Sequence, residues 1–461
     1  MHSGESGNSE KLTGKGILYR FSWPNLTRWQ RVALIFIAFL ITTEIAVNTN
    51  FDVHPDERMH YDAFQYYEQN WWPPDIGSDE ILYSPHGWSR LYTGETIYFI
   101  FGKTGGFLNT NVLSNKVQKS QRLAVLPYRF LNILLFILTL TILLFVKFQR
   151  FELSYIAYVL LVIPQIYYIY SYANSDAWGI SIGIFLFVLA SKMTEKNSSK
   201  WSWFEISVLG ILSGLILTSK INYLLSVILP FILLTIRLFK DRITFNMPFL
   251  KWIALRMIYI VCIAFLIYAP FGIIYKNTFP DFDSQISAMM QEKARPWYRA
   301  GVKVDLADQG ETYLTLVINH PFIQTTYKSF IGVFGYFTVW LPPHFYTVFG
   351  LLLSASILLT IIGLVKQWKY IELYEILAFI LSPIIIAANL FGSMHYSLNS
   401  TYQPQGRYLF VSIIPFAFLL MGTTNFETGK WRMIRIIITG LMYIFCIISL
   451  LTIFSSQELG L

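Results

Sequence analysis

Met257-Ile258-Tyr259-Ile260-Val261-Cys262-Ile263-Ala264-Phe265-Leu266-Ile267-Tyr268-Ala269-Pro270-Phe271-Gly272-Ile273-Ile274 carries no charged side chain, and Lys251 and Arg256 stand just before it. A helix rises 1.5 Å per residue, so a run of this length reaches across most of the roughly 30 Å of hydrocarbon in a bilayer. Comparable runs recur along the chain near 31–48, 128–146, 153–170, 176–191, 203–219, 222–238, 252–274, 344–365, 373–394, 407–422 and 433–454. The sequence therefore reads as an all-α polytopic membrane protein with about eleven transmembrane helices. Composition agrees: 54% of the residues are apolar, 17% are aromatic and only 13% are charged, which is too apolar and too poor in charge for an ordinary soluble domain.

The net charge of +8 does not point to nucleic acid, because the basic residues form no stripe interleaved with base-stacking aromatics. They follow topology instead. Lys11, Lys15, Arg20, Arg28 and Arg31 precede the first span. Alternate connections then hold Lys147 and Arg150; Lys192, Lys196 and Lys200; Arg237, Lys240, Arg242, Lys251 and Arg256; Lys366 and Lys369; and Lys430, Arg432 and Arg435. Under the positive-inside rule this makes the N-terminus cytoplasmic and the C-terminus external. Residues 1–30 read as a basic cytoplasmic tail lying against anionic lipid, and 31–461 as one membrane domain. The first span lies behind a long polar stretch without a small-residue cleavage motif, so it is expected to be retained. Cys262 and Cys446 sit inside apolar runs and suggest neither a disulfide framework nor a metal site.

Two long external connections remain, 49–127 and 275–343, and both mix charge with aromatics. Structureless loops are rarely this long. Short interfacial helices are expected in them, with Glu95-Thr96-Ile97-Tyr98-Phe99-Ile100-Phe101 as one amphipathic piece on the membrane surface. Many of the Trp and Tyr residues are accounted for by the aromatic belts of a membrane protein.

The first connection opens with Asp52-Val53-His54-Pro55-Asp56-Glu57-Arg58-Met59-His60. With Pro55 at the first helical position, Asp56, Glu57 and His60 share one face. Such a cluster suits a general base, or a divalent-metal site built from Asp52, His54, Glu57 and His60; acids after a proline also simply complement a helix N-terminus. Asp176, in Asn174-Ser175-Asp176, is either a second carboxylate facing this loop or a helix cap. Lys220, between two apolar runs on the external side, either meets an anion such as a lipid phosphate or snorkels to the interface. Tyr402-Gln403-Pro404-Gln405-Gly406-Arg407-Tyr408 puts Arg407 at an external helix entrance, after His395 and Asn399, and arginine matches phosphate oxygens with a planar fork. Glu44, near the outer end of the first span, and Arg129, near the outer start of the second, are expected to form a structural ion pair. Carboxylates at one part and Lys220 with Arg407 at another describe a site for glycosyl transfer from a phosphate-linked donor: a carboxylate deprotonates the acceptor hydroxyl while cations stabilise the departing phosphate. No dinucleotide fingerprint or Walker loop is present.

Four segments carry a family likeness: Pro55-Asp56-Glu57 with His60, Asn174-Ser175-Asp176-Ala177, Thr218-Ser219-Lys220 and Gln405-Gly406-Arg407-Tyr408. A fifth runs from Ser329-Phe330-Ile331-Gly332-Val333-Phe334-Gly335-Tyr336 to Leu341-Pro342-Pro343. In this order the chain resembles the multi-pass glycosyltransferases of GT-C type, in particular a bacterial branch of predicted membrane proteins. The resemblance implies a catalytic acid in the first external loop, which falls on Asp56 with Glu57 beside it, and a polyprenyl-phosphate-linked sugar donor. His60, Asp176, Lys220, Gln405, Arg407 and Tyr408 are the expected substrate-binding residues. His54 before Pro55 and Arg58 after the acidic pair depart from the pattern, and a divalent metal is the one cofactor left open. The expected partners are the lipid-linked donor, a glycan, lipid or protein acceptor, and membrane lipids. Two other classes compete, a transporter or flippase of a lipid-linked glycan and a non-catalytic envelope-assembly subunit. Transporters bind near the bilayer midplane through broken helices, whereas these polar residues gather at the outer ends of spans.

Overall fold

The computed structural model describes residues 26–111, 121–146, 153–240, 247–299, 305–367, 373–421 and 429–455. Residues 1–25 of the N-terminal tail and the basic residues Lys147, Arg150, Arg242 and Lys369 lie outside the described residues, and the rest of the tail runs into the first helix, Arg28–Asn48. Within them nearly every element is helical. The one sheet is a hairpin pairing Val333–Phe334 with Val339–Trp340 antiparallel.

Each apolar run read from the sequence is helical over most of its described residues. Among the described residues, eight helices are long and apolar enough to cross a membrane: Arg28–Asn48, Arg122–Phe145, Asp176–Thr194, Ile221–Phe239, Lys251–Asn277, Pro343–Lys366, Ile376–Asn399 and Lys430–Phe454. Three runs differ from the expectation of about eleven continuous spans. Trp203–Leu217 and Gly406–Met421 are apolar but shorter, and a helix of 15 residues rises only about 22 Å. The run at 153–170 is broken into Ser154–Val162 and Pro164–Ser171, bent by 86°. Pro164 lacks the N–H a continuing helix needs and drives Ile163 out of helical geometry, to φ −102° and ψ 109°. Both halves are buried along their whole length, which makes this broken element the centre of the protein.

We label the elements that frame the site α1 (Arg28–Asn48), α2 (Glu57–Gln69), α3 (Thr96–Asn111), α4 (Gln121–Phe145), α5 (Ser154–Val162), α6 (Pro164–Ser171), α7 (Asp176–Thr194) and α8 (Trp203–Leu217). Helices α1, α4 and α7 pack around α6, burying Ala38, Ile45, Phe136, Tyr167, Tyr170 and Ile180 in one apolar cluster. Above it, α2 lies along α3 and α4, with Phe64, Tyr67, Ile97, Tyr98, Phe101 and Tyr128 in a second cluster. The piece expected on the membrane surface thus turns Ile97, Tyr98 and Phe101 into protein. Gly102 permits the approach: a Cβ there would stand 2.6 Å from the Phe64 carbonyl oxygen. The second long connection also forms short helices, Phe282–Lys293, Tyr313–Ile318 and Phe322–Gly332, the last leading directly into the hairpin.

Candidate functional site

The loop from α1 to α2 is pinned by a buried ion pair. Arg129 on α4 donates from Nε to Glu57 Oε1 at 2.8 Å and from Nη2 to Glu57 Oε2 at 2.7 Å, and both side chains are fully buried. The same guanidinium donates to the carbonyls of Ala46, in the last turn of α1, and of Thr49 and Asn50 just beyond it, carbonyls that a helix end leaves without helical partners. Glu57 also accepts from the backbone N–H groups of Asp52 and Ala173. Two expectations are corrected here. Arg129 pairs with Glu57, not with Glu44, which accepts from Asn48 one helical turn on. Glu57, with both oxygens engaged and no exposure, holds the loop and does not face an acceptor.

Helix α2 begins at Glu57, so Pro55 is not its first residue. Asp56 precedes the helix in left-handed geometry, with φ +62°, and its side chain makes no cap. Asp52 is also left-handed, at φ +66°. Positive φ is uncommon outside glycine and concentrates at functional positions. Tyr336, at the tip of the hairpin, joins the two: its hydroxyl accepts from the Asp56 N–H at 3.2 Å and donates to Asp52 Oδ1 at 3.4 Å.

The free Asp56 carboxylate meets two arginines at one oxygen. Arg90 Nη2 lies 3.2 Å from Oδ2 and Arg407 Nη2 3.1 Å from it. Arg90 belongs to a 3-10 turn, Arg90–Tyr92, capped by Ser89. Arg407 lies in the 3-10 turn Gly406–Ser412 and is buried beside Tyr172 and Tyr408. Its Nε and Nη1 are buried without a hydrogen-bond partner. Gly406 N donates to Ser329 Oγ at 2.6 Å, seating the turn on the helix Phe322–Gly332. Gln405 contributes its carbonyl, which accepts from Tyr408 N, and the Tyr408 hydroxyl donates to Gln403 Oε1.

A second pair stands beside the first. Lys220 Nζ lies 2.7 Å from Asp176 Oδ1, while Asp176 Oδ2 is buried without a partner. Asp176 is not the cap of α7; Asn174 Oδ1 accepts from the N–H groups of Asp176 and Ala177 at 2.8 and 3.0 Å, which leaves the Asp176 carboxylate to the lysine. Thr218 Oγ1 and Thr96 Oγ1 share a 2.7 Å hydrogen bond that ties the lysine's segment to the start of α3.

His60 is buried, with Nδ1 2.8 Å from the Tyr98 hydroxyl and Nε2 unpartnered. His54 is also buried, stacked on Tyr172 at 4.6 Å between ring centroids and 7° between planes. Asp52 lies 3.9 Å from Arg58. The four residues expected to share a metal thus turn to different partners, and no group of three His, Cys, Asp or Glu side chains among the described residues is arranged to hold an ion. His395 meets Tyr313 at 2.7 Å and is not part of the cluster.

Burial alone would raise the Asp56 carboxyl, but Arg407 and Arg90 overcome it and hold the group well below the usual carboxylate range. Burial, with Arg90 and Lys220 nearby, keeps His60 neutral far below its ordinary pKa. Lys220 is pulled down by burial despite Asp176. Asp56, His60, Arg90, Lys220 and Arg407 each perturb one or more of the others, so they form one electrostatic unit. Of the residues expected from sequence, Asp56, His60, Asp176, Lys220, Arg407 and Tyr408 are brought together. Arg90, Tyr98, Tyr172 and Tyr336 join them without having been singled out as site residues. A cavity of about 550 Å³ lined by Val317, Ile318, Asn319, Pro321, Ile323, Gln324 and Tyr327 lies apart from this unit.

A family described as predicted membrane protein (DUF2142) matches residues 112–420. That range includes Asp176, Lys220 and Arg407 and leaves out Asp56, His60 and Arg90. No curated protein shows a significant match. Among solved structures, ArnT from Cupriavidus metallidurans in the apo state is similar at 11% identity and TM-score 0.38, over 86% of this chain and 77% of that one. The same protein bound to undecaprenyl phosphate is similar at 10% identity and TM-score 0.38, over 85% and 78%. At that TM-score neither likeness assigns a ligand or an activity.

Proposed function

The chain belongs to the DUF2142 family of predicted membrane proteins, and from that premise we propose that it is a membrane glycosyltransferase. It moves a sugar from a polyprenyl-phosphate-linked donor to an acceptor on the external, periplasmic or extracellular, face during cell-envelope glycan assembly. The observation that carries this reading is the convergence of Arg90 and Arg407 on Asp56, with Lys220 and Asp176 in the same electrostatic unit. Asp56 takes the proton of the acceptor hydroxyl as that oxygen bonds to the anomeric carbon. The bond from the anomeric carbon to the phosphate oxygen breaks, and its electron pair leaves with the phosphate, whose charge Arg407, Arg90 and Lys220 stabilise. Asp176 orients Lys220; Tyr408 and Gln405 frame Arg407; His60 offers its unpartnered Nε2 to a sugar hydroxyl. The motif resemblance to GT-C enzymes points to the same base and donor class.

The reading carries a cytoplasmic N-terminus and an external C-terminus, from the basic connections. It also has Trp203–Leu217 and Gly406–Met421 complete the crossings. The break between α5 and α6 favours the competing transporter reading, since transporters use broken helices. Transfer of labelled sugar from a panel of polyprenyl-phosphate donors, in membranes holding wild type, Asp56→Asn or Lys220→Ala at matched expression, separates the two. The enzyme reading expects transfer by wild type, none by Asp56→Asn with donor binding kept, and weaker donor binding by Lys220→Ala. Transfer by Asp56→Asn at the wild-type rate would remove the assigned base.

A further inference from the structure

A carboxylate shared by two guanidinium groups is a poor proton acceptor, because both cations stabilise its ionised form. Asp56 is in that state: one oxygen takes Arg90 at 3.2 Å and Arg407 at 3.1 Å. Arg407 is set by its backbone, since Gly406 N is bonded to Ser329 and the turn has no room to shift against Phe330. The Asp56 backbone is set as well, by the Tyr336 hydroxyl on its N–H and by its own carbonyl accepting from His60 N at 3.0 Å. What remains movable is the Asp56 side chain, which is 36% exposed while that of Arg407 is 9% exposed. Nε and Nη1 of Arg407 are buried beside Tyr172 and Tyr408 and make no hydrogen bond to a carboxylate or carbonyl, in a fork whose planar shape suits phosphate oxygens.

We propose that Asp56 occupies the two arginines in place of the donor's phosphate, and that phosphate binding displaces the carboxylate and releases it to act as the base. The inference rests on the glycosyltransferase reading and adds to it an order of events: the donor enters first, and the acceptor meets an active base only afterwards. Without donor the base is held inactive, so the resting site does not engage hydroxyl-bearing molecules. The two anions compete for one cation pair, so removing the competitor must tighten phosphate binding.

The test is equilibrium binding of farnesyl monophosphate to the full chain in zwitterionic nanodiscs, with farnesol as the uncharged control. Asp56→Asn and Asp56→Ala are expected to bind farnesyl monophosphate about tenfold more tightly than wild type, within the ordinary range of coupling between sites. Asp62→Asn removes the same charge from α2, where Asp62 accepts from Leu82 N, and is expected to bind within about twofold of wild type. Equal or weaker binding by both Asp56 variants overturns the displacement while leaving the phosphate site standing. Tightening by Asp62→Asn equal to theirs also overturns it, since net charge then explains the gain. If wild type and variants bind farnesyl monophosphate no better than farnesol, the lipid-phosphate reading falls and takes the displacement with it.

Discussion

A methyl group on Gly406 would stand 2.0 Å from the backbone nitrogen of Phe330 and 2.4 Å from its Cα. Glycine is therefore required here by a neighbouring backbone, and its φ is not in the left-handed region. The contact places the 3-10 turn carrying Arg407 directly on the helix Phe322–Gly332, and so fixes where the guanidinium meets Asp56 across 351 residues of chain.

Gly406→Ala is accordingly expected to push the turn off that helix and move Arg407 by a fraction of its length. Overpacking of this kind costs roughly 1–3 kcal/mol, and a displacement near 1 Å costs about 100-fold in rate. Gly392→Ala, where an added Cβ meets nothing within 4 Å, serves as the comparison. Measured as sugar transfer at matched expression, a Gly406→Ala variant as active as Gly392→Ala would show that the position of Arg407 does not limit the proposed reaction.

Arg129 and Glu57 are fully buried and bonded to each other through two hydrogen bonds. Removing one partner leaves a buried charge uncompensated, at about 3–5 kcal/mol, whereas removing both removes the charge as well. Arg129→Gln and Glu57→Gln singly are expected to lower thermal stability in detergent more than the double variant does. Additive losses in the double variant, seen in a thermal-melt cycle, would mean the two residues are not coupled.

The apolar runs and the polar segments that meet in the site were legible because each is local: a run of hydrocarbon side chains or a charge beside one. Asp56, Asp176, Lys220 and Arg407 stood out as charges next to apolar runs. What stayed hidden depends on tertiary choice. Nothing in spacing says that Arg129 takes Glu57 in preference to Glu44, since both carboxylates lie near the same end of α1. Arg90 looked like one more charge in a long loop, and only the 3-10 turn after Ser89 brings it to Asp56. Tyr336 was quoted in a motif, yet its role comes from a hairpin of two residues per strand, too short to show a period-two pattern. The break at Pro164 did carry a signal, because Ile163-Pro164 interrupts the run and a proline there ends one helix and begins another.

His54 gives the protein an acid sensitivity whose direction can be worked out. Burial, with Arg129 nearby, holds its ring neutral far below the ordinary histidine pKa, and neither ring nitrogen has a hydrogen-bond partner. The unfolded chain takes up a proton near pH 6.5 that the folded chain refuses. Stability attributable to this group is therefore fully present above that pH and declines as pH falls, by up to about 1.4 kcal/mol per unit. His60, buried and neutral for the same first reason, adds a slope of the same sign. His54→Phe keeps an aromatic ring against Tyr172 and removes the titration, so between about pH 6.5 and 5 its melting temperature is expected to fall roughly half as steeply as that of wild type. Parallel melting curves for the two proteins across that window would show that the folded protein protonates His54 as readily as the unfolded chain does.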